Sequence, residues 1–186
     1  MMRYLPVPAV LLALACLAGP PARPHPAAAA SAAEINRDAK RAVAKLYAKS
    51  ASAKTLGEKA KGVLVFPAIV KGGFLVGGQF GEGALFKGGQ ITGYYNTVQA
   101  SYGLQAGVQK YGYALFLMTD SAVNWLDKSD GWELGVGPTI VVMDAGASGS
   151  ATTSTLQSDI YAFFFNQTGL MAGAGLQGTK ITRIKK

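Results

Sequence analysis

The feature that most constrains the fold is a change in sequence character at Gly62. From this point the chain is rich in glycine and carries short runs of β-branched and aromatic residues, separated by turn signals. Runs of this kind are typical of an antiparallel sheet that is closed into a barrel or sandwiched. The clearest runs are 63–66, 74–76, 84–86, 91–95, 114–118, 160–165 and 179–184. The sequence therefore predicts many short strands and shows no clean internal repeat.

Glycine and turn residues punctuate this region. Gly88-Gly89 lies between two apolar runs, which is a two-residue hairpin signal, and Asp130-Gly131 predicts another turn. A helix capped by Thr119 or Asp120 is predicted to run to about Lys128, and 144–155 reads as a loop of small and polar residues. Glycines within strands permit sharp curvature or close backbone approach. They are Gly77, Gly78, Gly93, Gly103, Gly107, Gly135 and Gly137.

The segment before Gly62 has helical periodicity instead. An amphipathic helix is predicted over 31–49, where Ser31 and Glu34 have the spacing of a capping box. A second helix is predicted over 55–61, with the same spacing at Thr55 and Glu58. One side of the first helix is apolar and comprises Ile35, Ala39, Ala42, Val43, Leu46 and Tyr47. The predicted fold class is α+β, with N-terminal amphipathic helices packed on a glycine-rich antiparallel β-sheet or barrel.

The first thirty residues have the pattern of a secretory signal peptide. A positive start is followed by an apolar run over 7–18 that is too short to span a bilayer, and 28–30 offers an Ala-x-Ala cleavage site before Ser31. A disordered tail with a membrane anchor is the competing interpretation. A third is lipidation at Cys16, although Ala13 stands where that signal prefers a large aliphatic residue. We expect an exported protein that is periplasmic or associated with the cell envelope.

The predicted organisation is therefore a signal peptide over 1–30, a helical segment over 31–61 and a glycine-rich β region over 62–186. The last two are expected to form one domain over 31–186, since about 155 residues suit a single domain.

Removal of the leader would take away the only cysteine, Cys16, and the only histidine, His25. Catalytic triads, metal sites built on imidazole or thiolate, and disulfides are then excluded. We predict a protein that is not an enzyme and has neither cofactor nor metal. Carboxylate chemistry stays open as an alternative, because four acidic residues cluster in sequence. They are Asp120, Asp127, Asp130 and Glu133, for which a helix cap, an exposed helix side and a turn are sufficient explanations.

Basic charge is concentrated at the two ends of the predicted mature chain. Residues 34–61 carry a net charge of +5, residues 62–179 carry −3, and residues 180–186 carry +4. Such blocks form either a solvated face or a contact with an anionic surface. Nucleic acid is not predicted as the partner, because no recognised reader motif accompanies the pI of about 9.6. The glycine string over 173–178 resembles a dinucleotide motif only in its letters, since no helix and acidic residue follow it.

A helix with one basic and one apolar side fits a membrane surface, where apolar burial adds to attraction for anionic lipid. The alternative is that the apolar side packs on the sheet. The two are compatible if the basic side meets lipid headgroups while the apolar side stays docked.

Several segments resemble the SYLF domain, a lipid-binding domain that is also described as an actin-binding module in fungal proteins. They are 60–67, 71–74, 77–78, 103–107, 132–135, 159–163 and 169–173, in order along nearly all of the predicted mature chain. The resemblance implies binding of phosphoinositides or other anionic lipids through a basic amphipathic N-terminal segment. The residues that it would assign here are Arg37, Lys40, Arg41, Lys45, Lys49, Lys54, Lys59 and Lys61. The basic tail, comprising Lys180, Arg183, Lys185 and Lys186, is a further candidate lipid contact.

The leading hypothesis is a non-enzymatic lipid-binding protein of the cell envelope, with anionic lipid or a membrane surface as its partner. The second hypothesis is an envelope scaffold or protein-interaction module, similar to an actin-binding domain, that acts without lipid; its protein partner is unknown. The third is an enzyme that uses the carboxylates of Asp120 and Glu133. A sheet closed around a cavity would carry a lipid inside, whereas an open sheet would touch a membrane from outside.

Overall fold

The computed structural model describes residues 29–128, 132–134, 136–144, 158–168, 176 and 178–186. The helices in these residues are α1 (Ala32–Lys49), α2 (Ala51–Lys59) and α3 (Asp120–Lys128). The strands are β1 (Gly62–Lys87), β2 (Gln90–Leu117), β3 (Trp132–Glu133), β4 (Ile140–Asp144), β5 (Ile160–Thr168) and β6 (Lys180–Ile184). Most of the predicted signal peptide, the predicted turn at Asp130-Gly131, most of the predicted 144–155 loop and most of the 173–178 glycine string lie outside the described residues.

β1 and β2 form one long antiparallel hairpin. Its pairs run from Gly62↔Leu117 to Lys87↔Gln90. The prediction of many short strands is therefore wrong in this region, because five of the predicted runs lie within these two strands. The physical reason is that interior glycines and register shifts bend the ladder without ending it. The predicted turn at Gly88-Gly89 is confirmed, with φ values of 55° and 78° that suit glycine in a tight hairpin.

Strands β5 and β6 both pair with β2, and the strand order is β3-β6-β2-β5-β4, with β1 also paired to β2. Residues 110–117 of β2 pair with β5, and residues 94–98 pair with β6. The sheet is antiparallel except for the pair β4 and β5, which is parallel. The helices and the curled, half-barrel sheet make an α+β fold, so the predicted fold class is confirmed.

β1 curls so strongly that its two ends approach each other. A Cβ added to Gly83 would overlap the carbonyl oxygen of Val65 in the same strand and would lie 2.7 Å from Phe66 Cδ1. A Cβ on Gly81 would lie 2.8 Å from the carbonyl oxygen of Ala68. Glycine is needed at these two positions because a side chain would hold the two parts of the strand apart. The curl defines an inner face, towards which these two glycines point, and an outer face.

Both faces of the sheet carry a hydrophobic core. Successive residues of β5 from Ile160 to Phe165 are all buried and alternate between the two cores. The inner core includes Leu64, Phe66, Tyr113, Phe164, Trp132 and Leu126 of α3. The outer core includes Val63, Val65, Phe116 and Phe163 together with the apolar residues of α1 and α2. A sheet covered on both faces explains a continuous apolar run where a one-sided sheet would show alternation.

The helix boundaries follow their caps. The capping box of α1 is confirmed, since Ser31 and Glu34 bond to each other's backbone N–H groups. The predicted start of the second helix at Thr55 is wrong, because Ser50 caps α2 by accepting a 3.2 Å bond from the N–H of Ala53. Thr119 caps α3 through a 3.1 Å bond from the N–H of Ala122.

Candidate functional site

The apolar side of α1 packs on the outer face of the sheet. Ile35, Ala39, Ala42 and Leu46 are buried there, and Val43 and Tyr47 are partly buried. They meet Val65, Phe116 and other residues of β1, β2 and β5 that share the outer core. Of the two interpretations of this side, packing on the sheet is the one that the structure shows. An α1 docked in this way cannot place the same residues in a bilayer.

The charged side of α1 and the exposed residues of α2 form what we call the basic surface. It comprises Arg37, Lys40, Arg41, Lys45, Lys49, Lys54, Lys59 and Lys61, the eight residues that the resemblance assigned. All eight are exposed. The structure thus places every one of them on the surface, seven on the two helices and Lys61 just after α2.

Most residues of the basic surface form no ion pair within the described part of the chain. Arg37 bonds to Asp38 at 2.9 Å, and this bond lowers the pKa of Asp38 below its usual value. Lys61 lies 4.0 Å from Asp120, with both side chains largely exposed. The others form no ion pair in those described residues, namely Lys40, Arg41, Lys45, Lys49, Lys54 and Lys59. Their charge is therefore available to an anionic partner.

The basic tail is divided between exposed and engaged side chains. Lys180 and Lys185 are exposed. Arg183 Nη1 lies 3.5 Å from Asp127 Oδ1. Lys186 Nζ lies 2.8 Å from Glu82 Oε1 and 2.7 Å from the carbonyl oxygen of Ala30, and both charged side chains are only 11% exposed. Lys186 therefore ties the end of β6 to β1 and to the start of α1.

The sequence cluster of carboxylates does not come together as a site in the described residues. Asp127 binds Lys87 and Arg183, each at 3.5 Å, and accepts a 3.4 Å bond from the Tyr95 hydroxyl. Burial, with a contribution from this carboxylate, raises the pKa of Tyr95 to about 12. Asp120 and Glu133 are exposed, and Asp130 lies outside the described residues. Within the described residues, no three acidic, histidine or cysteine residues gather to hold a metal ion.

A cleft of about 590 Å³ opens beside the basic surface, between α1, α2 and the β1–β2 turn. Its walls are mostly apolar, and Lys40 and Lys54 are the basic residues that line it. The remaining lining residues are Val43, Ala44, Tyr47, Gly57, Glu58, Ala60, Val63, Phe86, Gly88 and Gly89. Sequence reasoning did not identify this cleft, because its walls come from three separate elements. The available signal was local: Gly57 lies within α2, at the point where Tyr47 of α1 packs against it.

Residues 98–186 match the family model described as "Ysc84: Las17-binding protein actin regulator". Over this range the chain is similar to the SYLF family. The resemblance indicated by the sequence is confirmed over this range, and the family is one of actin-binding, SYLF-type binding domains. No curated protein matches the chain.

The SYLF match begins within β2 and runs past β6 to Lys186. It therefore includes α3, β5, β6 and the part of β2 from Val98 onward, but not α1, α2 or β1. The basic surface and the cleft lie outside the matched range. None of the helices in the described residues is both long enough and apolar enough to cross a membrane.

Proposed function

We propose that this SYLF-type chain is a non-enzymatic lipid-binding protein of the cell envelope. It contacts anionic phospholipid or phosphoinositide-like headgroups through the basic surface. The observation that carries the proposal is the orientation of α1, which buries its apolar side on the sheet and leaves the basic residues exposed. The pattern of a signal peptide over 1–30 supports the envelope location, with 31–186 as the binding domain.

The docked position of α1 determines the kind of binding. Because its apolar residues are already buried, adsorption depends on charge instead of insertion. Each Lys or Arg near an anionic membrane contributes about 1 kcal/mol, so several weak contacts act together. Attraction of this type is screened by salt, with a Debye length of about 8 Å at physiological ionic strength. The proposal therefore requires binding that weakens strongly as salt increases.

Vesicle sedimentation tests the proposal directly. The protein is mixed with vesicles of phosphatidylcholine alone, or of phosphatidylcholine with phosphatidylglycerol, and pelleted at low and high salt. Pelleting is expected only with the anionic vesicles and chiefly at low salt. Equal pelleting with both vesicle types, or none with either, would refute the proposal.

A charge-matched control separates the basic surface from net charge. Lys40→Glu with Lys45→Glu removes two exposed cations of α1, whereas Lys71→Glu with Lys110→Glu makes the same charge change on the sheet. The helix pair is expected to lose most of the pelleting and the sheet pair to keep most of it. Equal losses would show that net charge alone governs adsorption.

A second candidate function is protein binding without lipid, as an interaction module of the actin-binding kind. Two observations favour it: the description of the matched family and an exposed apolar pair on the sheet. Phe80 and Val98 are register partners on adjacent strands and are 50% and 46% exposed. A stoichiometric protein partner, lost in Phe80→Ser and retained in lipid-free buffer, would favour this function over lipid adsorption.

A further inference from the structure

The cleft beside the basic surface has the dimensions and walls of a small-molecule site. Its volume of about 590 Å³ falls within the range of roughly 300–1,000 Å³ that is usual for such sites. Val63 forms a buried wall, and Val43, Phe86 and Ala60 are partly buried around it. An apolar ligand could pack against these side chains, which otherwise face solvent in the cleft.

Tyr47 and Gly57 shape one wall of the cleft. A Cβ on Gly57 would lie 3.1 Å from Tyr47 Cε1 and closer still to its ring hydroxyl, so glycine lets the ring lie against α2. Burial raises the pKa of the Tyr47 hydroxyl, with a smaller effect from the negative charge of Glu58. The ring therefore remains neutral at physiological pH and contributes an aromatic wall.

The positive charges of the cleft lining belong to two lysines that are exposed to solvent. Lys40 comes from α1 and Lys54 from α2, and both are exposed and line the cleft. Glu58 is the acidic residue of this lining, so the lining has a net charge of +1. Lys40 is also part of the basic surface. One ligand molecule can thus place an anionic group on the basic surface and an apolar group in the cleft.

We propose that the cleft takes one acyl chain of an anionic phospholipid, while the phosphate of the same lipid is held by Lys40 and Lys54. This inference rests on the proposed function and specifies how the lipid is bound. A chain drawn into the cleft adds apolar burial that the docked α1 cannot supply by insertion. The protein then binds one lipid molecule in the cleft, in addition to adsorbing to the membrane through the basic surface.

The chemistry of the walls favours an acyl chain over a peptide. A peptide brings backbone N–H and C=O groups, each of which needs a partner when it leaves water. The lining side chains of the cleft offer few such partners beyond Lys40, Lys54, Glu58 and the hydroxyl of Tyr47. A hydrocarbon chain needs none, and its phosphate needs only cations.

Binding is tested with dioctanoyl phosphatidylglycerol below its micellar concentration, by titration calorimetry on the full chain. Glycerol 1-phosphate serves as the ligand without acyl chains, and dioctanoyl phosphatidylcholine serves as the ligand without net charge. We expect saturable one-to-one binding of dioctanoyl phosphatidylglycerol, and binding of each of the other two ligands that is at least about tenfold weaker. In NMR spectra, dioctanoyl phosphatidylglycerol should shift the amide signals of Gly57, Gly88 and Gly89. Equal affinity for glycerol 1-phosphate would overturn the proposal, as would binding that leaves these glycines undisturbed.

Matched variants locate the bound chain. Ala44→Leu adds an exposed side chain to the cleft, and Ala48→Leu makes the same change on an exposed position of α1 outside the cleft lining. We expect Ala44→Leu to bind the short-chain lipid at least about tenfold more weakly than the wild type, and Ala48→Leu to bind it with unchanged affinity. Lys54→Gln should weaken binding about fivefold, and Lys110→Gln, an exposed lysine of β2 outside the basic surface, should not.

The same variants distinguish failure of this inference from failure of the proposed function. If Ala44→Leu still pellets with anionic vesicles but no longer binds the short-chain lipid, binding in the cleft is separate from adsorption through the basic surface. Wild-type protein that pellets with vesicles but never binds the short-chain lipid refutes the cleft alone. Displacement of the short-chain lipid by an uncharged amphipathic peptide with equal affinity would also overturn it, since the occupant would then be a peptide.

Discussion

At the scale of single residues, Gly83 shows how the curl of β1 depends on a missing side chain. The strand passes so close to itself that a Cβ here would overlap the carbonyl oxygen of Val65. Backbone atoms on both sides of the contact belong to the sheet ladder and cannot move away independently. The close approach also places Phe66 beside Gly83, at the centre of the inner core.

Gly83→Ala is therefore expected to destabilise the fold by about 3 kcal/mol, the upper range for overpacking in a well-packed core. Gly78→Ala is the matched control, because a Cβ there meets nothing closer than 3.6 Å. It should change the free energy of unfolding by less than about 1 kcal/mol. Urea unfolding followed by tryptophan fluorescence measures both. Equal effects would mean that the curl tolerates a side chain at Gly83.

The Glu82–Lys186 pair is the second residue-scale feature with a measurable effect. The two side chains are 11% exposed, and Glu82 Oε2 also accepts a 2.9 Å bond from the N–H of Ala30. Removing one partner leaves the other charge poorly solvated, which is more costly than removing both.

Glu82→Gln and Lys186→Met should each lower the free energy of unfolding by about 2 kcal/mol. The double variant should lose less than the two combined, because neither charge is then left unpaired. Lys185→Met is the neighbouring exposed control and should have almost no effect. Strictly additive losses in the thermodynamic cycle would show that the pair does not interact.

At the scale of elements, Ser50 sets the boundary between α1 and α2. Its N–H donates to the carbonyl oxygen of Leu46 at the end of α1, and its hydroxyl accepts from the N–H of Ala53 at the start of α2. One buried serine therefore ends one helix and begins the next. The cleft depends on this boundary, because it lies between the two helices.

Ser50→Ala is expected to destabilise the protein by about 1 kcal/mol, the usual effect of losing an N-cap. Thr55→Ala tests the cap that the sequence predicted, and it should be neutral or slightly stabilising because Thr55 is an exposed residue inside α2. Chemical denaturation monitored by circular dichroism gives both values. A larger loss of stability in Thr55→Ala than in Ser50→Ala would support the predicted helix start at Thr55.

The helices were predictable to the extent that local spacing determines them. The capping box and apolar periodicity of α1 gave its bounds within a residue, and Thr119 marked α3. α2 was placed too late, because the Thr55–Glu58 spacing is present but Ser50 supplies the cap. The sequence predicted several short strands in place of β1 and β2, because glycine within an apolar run is typical of a strand end. Only the pairing partners show that the ladder continues through these glycines.

At the scale of the whole molecule, the inner core places tyrosine hydroxyls in a largely apolar interior. Tyr113 shares a 2.7 Å hydrogen bond with Thr97, and the Tyr111 hydroxyl donates to Gln79. Burial raises the pKa of Tyr111 to about 12 and raises that of Tyr113 as well. The side chains of the inner core pack within the curl of the sheet, whereas the cleft and the basic surface lie on its outer side.

These raised pKa values predict a loss of stability in alkali. A phenol that ionises less readily in the folded state contributes its full stability below the unfolded pKa of about 10. That contribution then falls as the pH rises towards 12. Spectrophotometric titration should show part of the tyrosine absorbance change delayed beyond pH 10 in native protein and not in urea-unfolded protein. Coincident curves would contradict the burial.

The candidate site was predictable in its charge and not in its shape. The basic residues of 37–61 could be identified because exposure of charge follows from helical spacing, and all eight are exposed. The tail was less predictable, since the partners of Arg183 and Lys186 lie in α3 and β1. The cleft depends on the angle at which α2 leaves α1 and on where the β1–β2 turn ends, which local spacing does not encode.

The long β1–β2 hairpin has a consequence for the order in which the chain folds. Lys87 pairs with Gln90 beside the turn, whereas Gly62 must find Leu117. Loop-closure entropy favours pairing that starts at Gly88-Gly89 and proceeds outward, and contacts this distant in sequence make folding slow. α1 is synthesised first, yet its docking surface includes Phe163 and Phe165 of β5. The helix that carries most of the basic surface therefore completes its packing only after the ribosome has synthesised β5.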